Sequence, residues 1–166
     1  TILRGYQGFG GLKCVLNRCD QAEDIRHWSA SEQNLFAPTQ QLKQLIYREA
    51  IDAHTAKRYW DSIKASVLTS FYTDTHIVSA IADSIATAGV TIKRCLDPSA
   101  GIGAFAETFA KQAGLVDTME KDLLTARISQ ALHPYGEGNI FVQNQPFEAI
   151  GEVEDKDRYD LVTSNI

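Results

Sequence analysis

The sequence has no apolar run that approaches the roughly 18 residues needed to span a membrane as a helix, and it shows no recognisable signal peptide. These two absences favour a protein of the cytoplasm with no membrane partner. Cysteine is scarce, with three in 166 residues, and Cys14 and Cys19 are spaced too widely for a Cys-x-x-Cys metal knuckle. Because the number of cysteines is odd, we expect reduced thiols. Because the four histidines are also scattered, we expect no metal site.

A surplus of positive charge is also missing. The chain has 16 Lys and Arg against 21 Asp and Glu, for a formal net charge of −5. Proteins that bind the DNA backbone normally present a basic face. We therefore expect this chain to bind DNA poorly by itself. Its hydrophobic residues, 44% of the total, suit a compact domain with a real core.

One stretch has the pattern of a strand, a glycine turn and the start of a helix. It reads Arg-Cys-Leu-Asp-Pro-Ser-Ala-Gly-Ile-Gly-Ala-Phe over residues 94–105. Gly101 and Gly103 lack a Cβ, so the backbone can adopt positive φ and a ligand can lie close to it. The first N–H groups of a helix favour a carboxylate or phosphate. The pattern predicts a nucleotide-type ligand loop, but neither a P-loop nor the third glycine of the dinucleotide motif is present.

The segment from Asp97 to Phe105, Asp-Pro-Ser-Ala-Gly-Ile-Gly-Ala-Phe, resembles the S-adenosylmethionine loop of the N6-adenine DNA methyltransferases. The usual form of that loop is Asp/Glu-Pro-Ser-Ala-Gly-x-Gly-x-Phe. The resemblance implies an α/β fold with a Rossmann-like methyltransferase sheet, and S-adenosyl-L-methionine as cofactor. It also implies cofactor contacts from Asp97, Pro98, Ser99, Ala100, Gly101, Gly103 and Phe105. The alternative is a strand-to-helix turn that binds no ligand.

Residues 1–70 are predicted to form a glycine-rich arm and a helical region. Leu3–Leu12 has four glycines and resembles a Tyr-x-Gly-aromatic-Gly-Gly-Leu segment of large helicase–methyltransferase proteins from phages and mobile elements. The alternative is a glycine-rich arm that simply packs closely on the domain. The helical pattern begins at Pro38, a residue that suits a first turn, and a second helix begins near residues 52–55. The pair Tyr59-Trp60 favours core packing over base stacking.

The tetrapeptide Phe71-Tyr72-Thr73-Asp74 precedes a helical pattern from Ile77 to Ile85, which Gly89 can end. It resembles the Phe-Tyr/Phe-Thr-Pro motif of the same family, which covers the methionine end of the cofactor. The resemblance implies cofactor contacts from Tyr72 and Thr73, although Asp74 replaces the usual proline. Simple capping of the helix by Thr73 or Asp74 is the alternative.

An acidic residue follows the second predicted strand. The helix after the glycine loop is expected to run through Ala113 and to end at Gly114, with the strand at residues 115–119. Glu120 then lies seventeen residues beyond Gly103, where an acidic residue binds the ribose hydroxyls in sheets of this kind. An exposed charged turn with its neighbours Lys121 and Asp122 is the alternative.

The remaining residues predict a helix over 123–132 and two more strands, at 139–142 and around Leu161 and Val162, the latter pair buried. Phe147 stands in a loop where the family often holds the adenine ring of its cofactor, so the resemblance implies an apolar contact there. Asn165 would lie at the end of the fourth strand. With Ile166 in place of the first proline, it resembles the start of the Asn/Asp-Pro-Pro-Tyr/Phe motif, which implies a catalytic role for Asn165.

The resemblance thus implies the N-terminal, cofactor-binding part of an N6-adenine DNA methyltransferase, from a restriction–modification system or a mobile element. Residues 71–166 are expected to form a methyltransferase domain that is truncated at its C-terminal end and shows little activity alone. DNA would be bound mainly by parts outside this chain, and a helicase region is expected in the same polypeptide. Two alternatives stay open: a non-catalytic methyltransferase-like docking module, and a methyltransferase acting on RNA or on protein glutamine.

Overall fold

A computed structural model describes residues 3–6, 8–16, 18–20, 24–69, 72–150 and 158–165. The chain divides into two compact units. The sheet unit comprises Thr1–Tyr6 and Phe71–Ile166, and the helical unit comprises Gln7–Ser70. The described residues 3–6 therefore group with the sheet, although the sheet residues are far from them in sequence.

The helical unit contains a short helix α1 (Lys13–Leu16) and two long helices, α2 (Ala30–Glu49) and α3 (Ala53–Thr69). The prediction that the first long helix begins at Pro38 was wrong, because Pro38 lies inside α2. The helix begins eight residues earlier because Ser29 and Glu32 form a capping box, each side chain accepting the other's backbone N–H, at 3.3 and 2.9 Å.

A charged cluster joins the two long helices. The Asp20 carboxylate accepts hydrogen bonds from Lys43 on α2, at 2.5 Å, and from Lys64 and Trp60 on α3. Burial raises the pKa of Asp20, but the hydrogen bonds from the two lysines outweigh it and hold that pKa at about 2. The indole of Trp60 is 3% exposed, which confirms the prediction that it packs in the interior.

The sheet unit is built on four parallel strands: β1 (Ile92–Asp97), β2 (Ala113–Met119), β3 (Ile140–Gln143) and β4 (Leu161–Val162). Their order is β3-β2-β1-β4, which is how a doubly wound α/β sheet begins. The predicted α/β class with a parallel sheet is confirmed. Because the strands are parallel, their carboxyl ends share one edge: Asp97 lies opposite Thr118, and Met119 opposite Gln143.

Among the described residues, three α-helices accompany the sheet: α4 (Thr75–Thr87), α5 (Ala104–Phe109) and α6 (Leu123–Leu132). Asp74 caps α4 by accepting the N–H of His76 at 2.8 Å, as one of the two predicted caps. On α4 the face that packs inward carries Val78 and Ala82, whereas Ile77 and Ile81 are exposed. The core consists of Val78, Ala82, Ile92, Cys95, Phe105, Ala106, Phe109, Ala113 and Val116.

Two predicted boundaries in the sheet unit were wrong. Helix α5 ends at Phe109, and Gly114 lies inside β2 rather than at a helix end. A Cβ on Gly114 would stand 2.8 Å from the carbonyl oxygen of Lys93, so glycine is needed there for close approach of β1. Val162 is 58% exposed rather than buried, because β4 is the outermost of the described strands on its side.

We expect Gly114→Ala to lower the free energy of unfolding by about 1–3 kcal/mol, because the new methyl group must push apart two paired strands. Denaturation with urea, followed by circular dichroism, measures this change. Gly5→Ala is the matched control, since a Cβ on Gly5 meets no described atom within 4 Å. Equal stability of the two variants would show that β1 and β2 do not approach as closely as the structure has them.

Candidate functional site

The carboxyl ends of the strands bring together acidic, hydroxyl and amide side chains from distant parts of the sequence. Asp97 ends β1, Glu120 follows β2, and Asn165 follows β4. This edge is where open α/β sheets bind their ligands. The sequence predicted all three as site residues, and the fold places each of them at this edge.

The glycine loop between β1 and α5 is held by backbone hydrogen bonds. The N–H of Ala100 donates to the carbonyl of Met119 at 2.9 Å, and the N–H of Gly103 donates to the carbonyl of Ala100 at 2.9 Å. Pro98 and Ala100 are buried, whereas Ser99 is exposed. The loop, which continues directly from β1, is therefore also hydrogen-bonded to the end of β2.

Both loop glycines are required by their backbone and by their neighbours. Gly101 has φ +57° and Gly103 has φ +102°, and only glycine adopts such values readily. A Cβ on Gly101 would lie 3.1 Å from the ring of Tyr72, and a Cβ on Gly103 would lie 2.9 Å from Nε2 of His133. Tyr72, for which the resemblance implies a cofactor contact, thus lies against one side of the loop.

Glu120 is not part of an exposed charged turn. Its carboxylate accepts the N–H of Gly101 at 2.9 Å and the N–H of Asp122 at 2.7 Å. Burial raises the pKa of Glu120, and these two N–H groups partly counteract that rise. Asp122 instead caps α6 by accepting the N–H of Thr125 at 2.8 Å. The Glu120 side chain therefore connects the end of β2 to the glycine loop.

Asp97 is the most unusual group of the site. Its residue is 1% exposed; Oδ1 accepts the N–H of Ser99 at 3.2 Å, and Oδ2 has no hydrogen-bond partner within the described ranges. Burial raises the pKa of Asp97 to about 7; the nearby Ser99 and Ser164 lower it, and the charge of Glu120 raises it further. A buried carboxyl group with an oxygen outside any hydrogen bond of ordinary geometry marks a candidate functional site.

The sequence did not predict Ser164. Its buried Oγ lies beside Asp97 and influences its pKa, yet it makes no hydrogen bond of ordinary geometry to the residues that the structure describes. The only signal in the sequence is its position, one residue before Asn165 at the end of β4.

Asn165 and Thr73 meet at the same edge. The Asn165 amide nitrogen donates a hydrogen bond of 2.9 Å to the hydroxyl oxygen of Thr73. The N–H of Thr163 donates to the carbonyl of Leu96 at 2.9 Å, which continues the pairing of β1 with the chain beyond β4. Two residues that the resemblance assigned to different motifs are thus in direct contact.

Two other predicted residues lie apart from this cluster. Phe105 is 9% exposed and packs in the hydrophobic core, so its ring supports the loop from behind. Phe147 begins a short 3-10 helix (Phe147–Ile150) and is 50% exposed, so its ring is open to contact. Phe71 and Ile166, which belong to the motifs around Tyr72 and Asn165, lie outside the described residues.

His133 lies behind the loop and was also missed by the sequence analysis. Its Nε2 atom is 3.4 Å from Oε1 of Glu107 and makes no hydrogen bond among the described residues. The Oγ atom of Ser129, one helical turn earlier, also makes no hydrogen bond to a described residue. Burial lowers the pKa of His133, and the charge of Glu107 opposes that change. The imidazole occupies the space that a side chain at position 103 would need.

Two other kinds of feature are absent from the described residues. Among the described residues no group of three or more His, Cys, Asp or Glu side chains is arranged to hold a metal ion. No helix in the described part of the chain combines the length and apolar character needed to cross a membrane.

The chain is similar to a phage protein and to a solved methyltransferase structure. No protein-family model matches the chain. One hundred residues are 33% identical to Defense against restriction protein B of Escherichia phage P1, covering 60% of this chain and 4% of that protein. A solved structure of phosphoethanolamine N-methyltransferase 1 from Haemonchus contortus, with phosphoethanolamine and S-adenosylhomocysteine, is 19% identical at a TM-score of 0.39. That similarity covers 86% of this chain and 27% of the methyltransferase. The chain thus spans a small part of the length of both proteins.

The raised pKa of Asp97 predicts a pH dependence of stability. Between an unfolded pKa of about 3.9 and a folded pKa of about 7, the folded state binds more protons than the unfolded state. Stability should therefore fall as pH rises through this window and level off above it, by a few kcal/mol in total.

The variant Asp97→Asn, which stays neutral, isolates this contribution. We expect it to match the wild type near pH 4 and to be more stable than the wild type above about pH 7, as measured by urea denaturation at several pH values. A difference between the two proteins that does not change with pH would contradict the assigned burial of a titrating carboxyl group.

Proposed function

We propose that the chain is the cofactor-binding part of a methyltransferase that transfers the methyl group of S-adenosyl-L-methionine to the N6 amine of adenine in DNA. The observation that carries this proposal is the convergence at one sheet edge. Asp97 with its glycine loop, Glu120, and the contacting pair Thr73 and Asn165 all lie at the carboxyl ends of the parallel strands. These are the residues in the motifs that resemble the adenine methyltransferases.

The residues at this edge fit such a cofactor. Asp97 offers a buried oxygen that makes no hydrogen bond to any described residue, which suits a donor group of the ligand. A carboxylate has about four lone-pair positions, and Glu120 uses two of them for Gly101 and Asp122, which leaves acceptors for ribose hydroxyls. When bound, the cofactor would supply a methyl group activated on a sulfonium.

Asn165 would position the adenine amine. Because its amide nitrogen donates to Thr73, the amide oxygen is left to accept a hydrogen from the amine of the substrate. Most of the rate gain would then come from orientation, since this reaction needs the amine nitrogen aligned with the methyl group and no metal. The target atom is hidden in a duplex, so the base would be flipped into the site.

We favour a DNA substrate over RNA or protein glutamine because the motifs of residues 71–74, 97–105 and 165 resemble those of the adenine DNA methyltransferases. The segment matched in the phage protein is 4% of that protein's length, so we propose that this chain also acts within a much larger polypeptide in the cytoplasm. Other parts of that polypeptide, a helicase region among them, would supply the basic surface that a chain of net charge −5 lacks.

The test is methyl transfer by the complete polypeptide that carries this chain, measured with a labelled methyl group on adenine-containing duplex DNA. We expect Asn165→Ala to lower kcat about 100-fold, because the amine loses its orientation, and to leave the affinity for S-adenosylhomocysteine unchanged. Asn34→Ala, at an exposed position of α2, is the control and should keep full activity.

Label transferred to RNA or to a glutamine-containing peptide, but not to DNA, would refute the proposed substrate. Full activity of Asn165→Ala would refute its role. Cofactor binding without transfer to any of the three would favour the docking module.

A further inference from the structure

The first described residues of the chain lie against the candidate site. A short 3-10 helix, Leu3–Gly5, contacts α6, and the segment through Tyr6 belongs to the sheet unit. The sequence alone is compatible with a ligand role for this glycine-rich segment and with simple packing on the domain.

Tyr6 reaches the glycine loop through one intermediate. Its ring packs edge-to-face on Tyr72, with ring centroids 6.5 Å apart and an interplanar angle of 72°. The Tyr72 ring also lies beside Gly101, where a Cβ would be only 3.1 Å from it. A side chain at the start of the chain therefore backs the ring that borders the loop.

A second contact links the same segment to α5. The Arg4 guanidinium lies 2.6 Å from Oε1 of Glu107, in the first turn of α5 directly after Gly103. The side chains are 58% and 36% exposed, so this ion pair adds little stability. It nevertheless places Arg4 beside the first turn of α5.

We infer that Tyr6 is a positioning residue for the cofactor site: it holds the Tyr72 ring against Gly101, so that the glycine loop is preformed before the ligand binds. This inference rests on the proposed function for the identity of the ligand. It assigns the start of the glycine-rich segment a ligand-related role. A loop held in its binding conformation loses less entropy on binding, so the affinity rises without any direct contact from Tyr6.

Calorimetric titration with S-adenosylhomocysteine and amide hydrogen exchange measured by NMR test the inference together. We expect Tyr6→Ala to weaken binding about three- to tenfold, which is the range for loss of an aromatic pair. Without ligand, the Gly101 amide, which is hydrogen-bonded to Glu120, should exchange faster in Tyr6→Ala than in the wild type. The Val116 amide in the centre of β2 serves as the internal reference. Tyr6→Phe keeps the ring and should behave as the wild type.

Tyr135→Ala is the matched control, because Tyr135 makes a similar edge-to-face pair with Phe141, at 5.8 Å, away from the loop. It should leave both the affinity and the Gly101 exchange unchanged. If the wild type binds S-adenosylhomocysteine, and Tyr6→Ala has the same affinity and the same Gly101 exchange rate, the inference is overturned. The proposed function would still stand in that case. If Tyr6→Phe behaves as Tyr6→Ala, the ring contact is not the cause and the inference fails.

Absence of binding by the wild type would count against the proposed function instead. The exchange of the Gly101 amide then decides alone: faster exchange in Tyr6→Ala supports the positioning role, and unchanged exchange overturns it.

Discussion

The candidate site depends on the burial of one carboxyl group, that of Asp97 at the end of β1. The strand lies between two others and packs on a helical layer, so its last residue is 1% exposed. An unused buried acceptor costs about 1–3 kcal/mol, and Oδ2 makes no hydrogen bond of ordinary geometry to a described residue, although the Ser164 hydroxyl lies beside Asp97. Groups of this kind concentrate at functional sites, where a ligand completes the bonding.

The other residues of the site are arranged around this carboxyl group. The loop that follows it is bonded to β2 through Ala100 and to Glu120 through Gly101. Tyr72 and His133 lie close to Gly101 and Gly103, one to each glycine, and leave no room for a side chain at either position. The site is therefore shaped largely by the protein itself, which is the property expected of one that binds a ligand with little rearrangement.

The sequence predicted what depends on local signals. The strand, the glycine loop and the acidic residue after β2 have short-range patterns, and the structure places them as expected. The start of α2 was missed because a proline suggested a first turn, whereas the capping box of Ser29 and Glu32 determines it. Gly114 was read as a helix end, since its close approach to Lys93 depends on strand pairing.

Contacts between distant residues were beyond the reach of such patterns. The hydrogen bond of Asn165 to Thr73 joins residues 92 positions apart, and neither residue type indicates the other. The same holds for Ser164 beside Asp97 and for Tyr6 beside Tyr72, which are juxtaposed by the fold alone. The sequence could therefore name members of the site but not the interactions that hold them.

The most direct test of the account is a calorimetric titration of this chain with S-adenosylhomocysteine, beside the double variant Asp97→Asn/Glu120→Gln. The account predicts saturable binding by the wild type and its loss in the variant, because both carboxylates accept hydrogen bonds from the ligand. Circular dichroism would establish that both proteins are folded. No binding by the folded wild type, or equal binding by the two proteins, would contradict the assignment of this edge as the cofactor site.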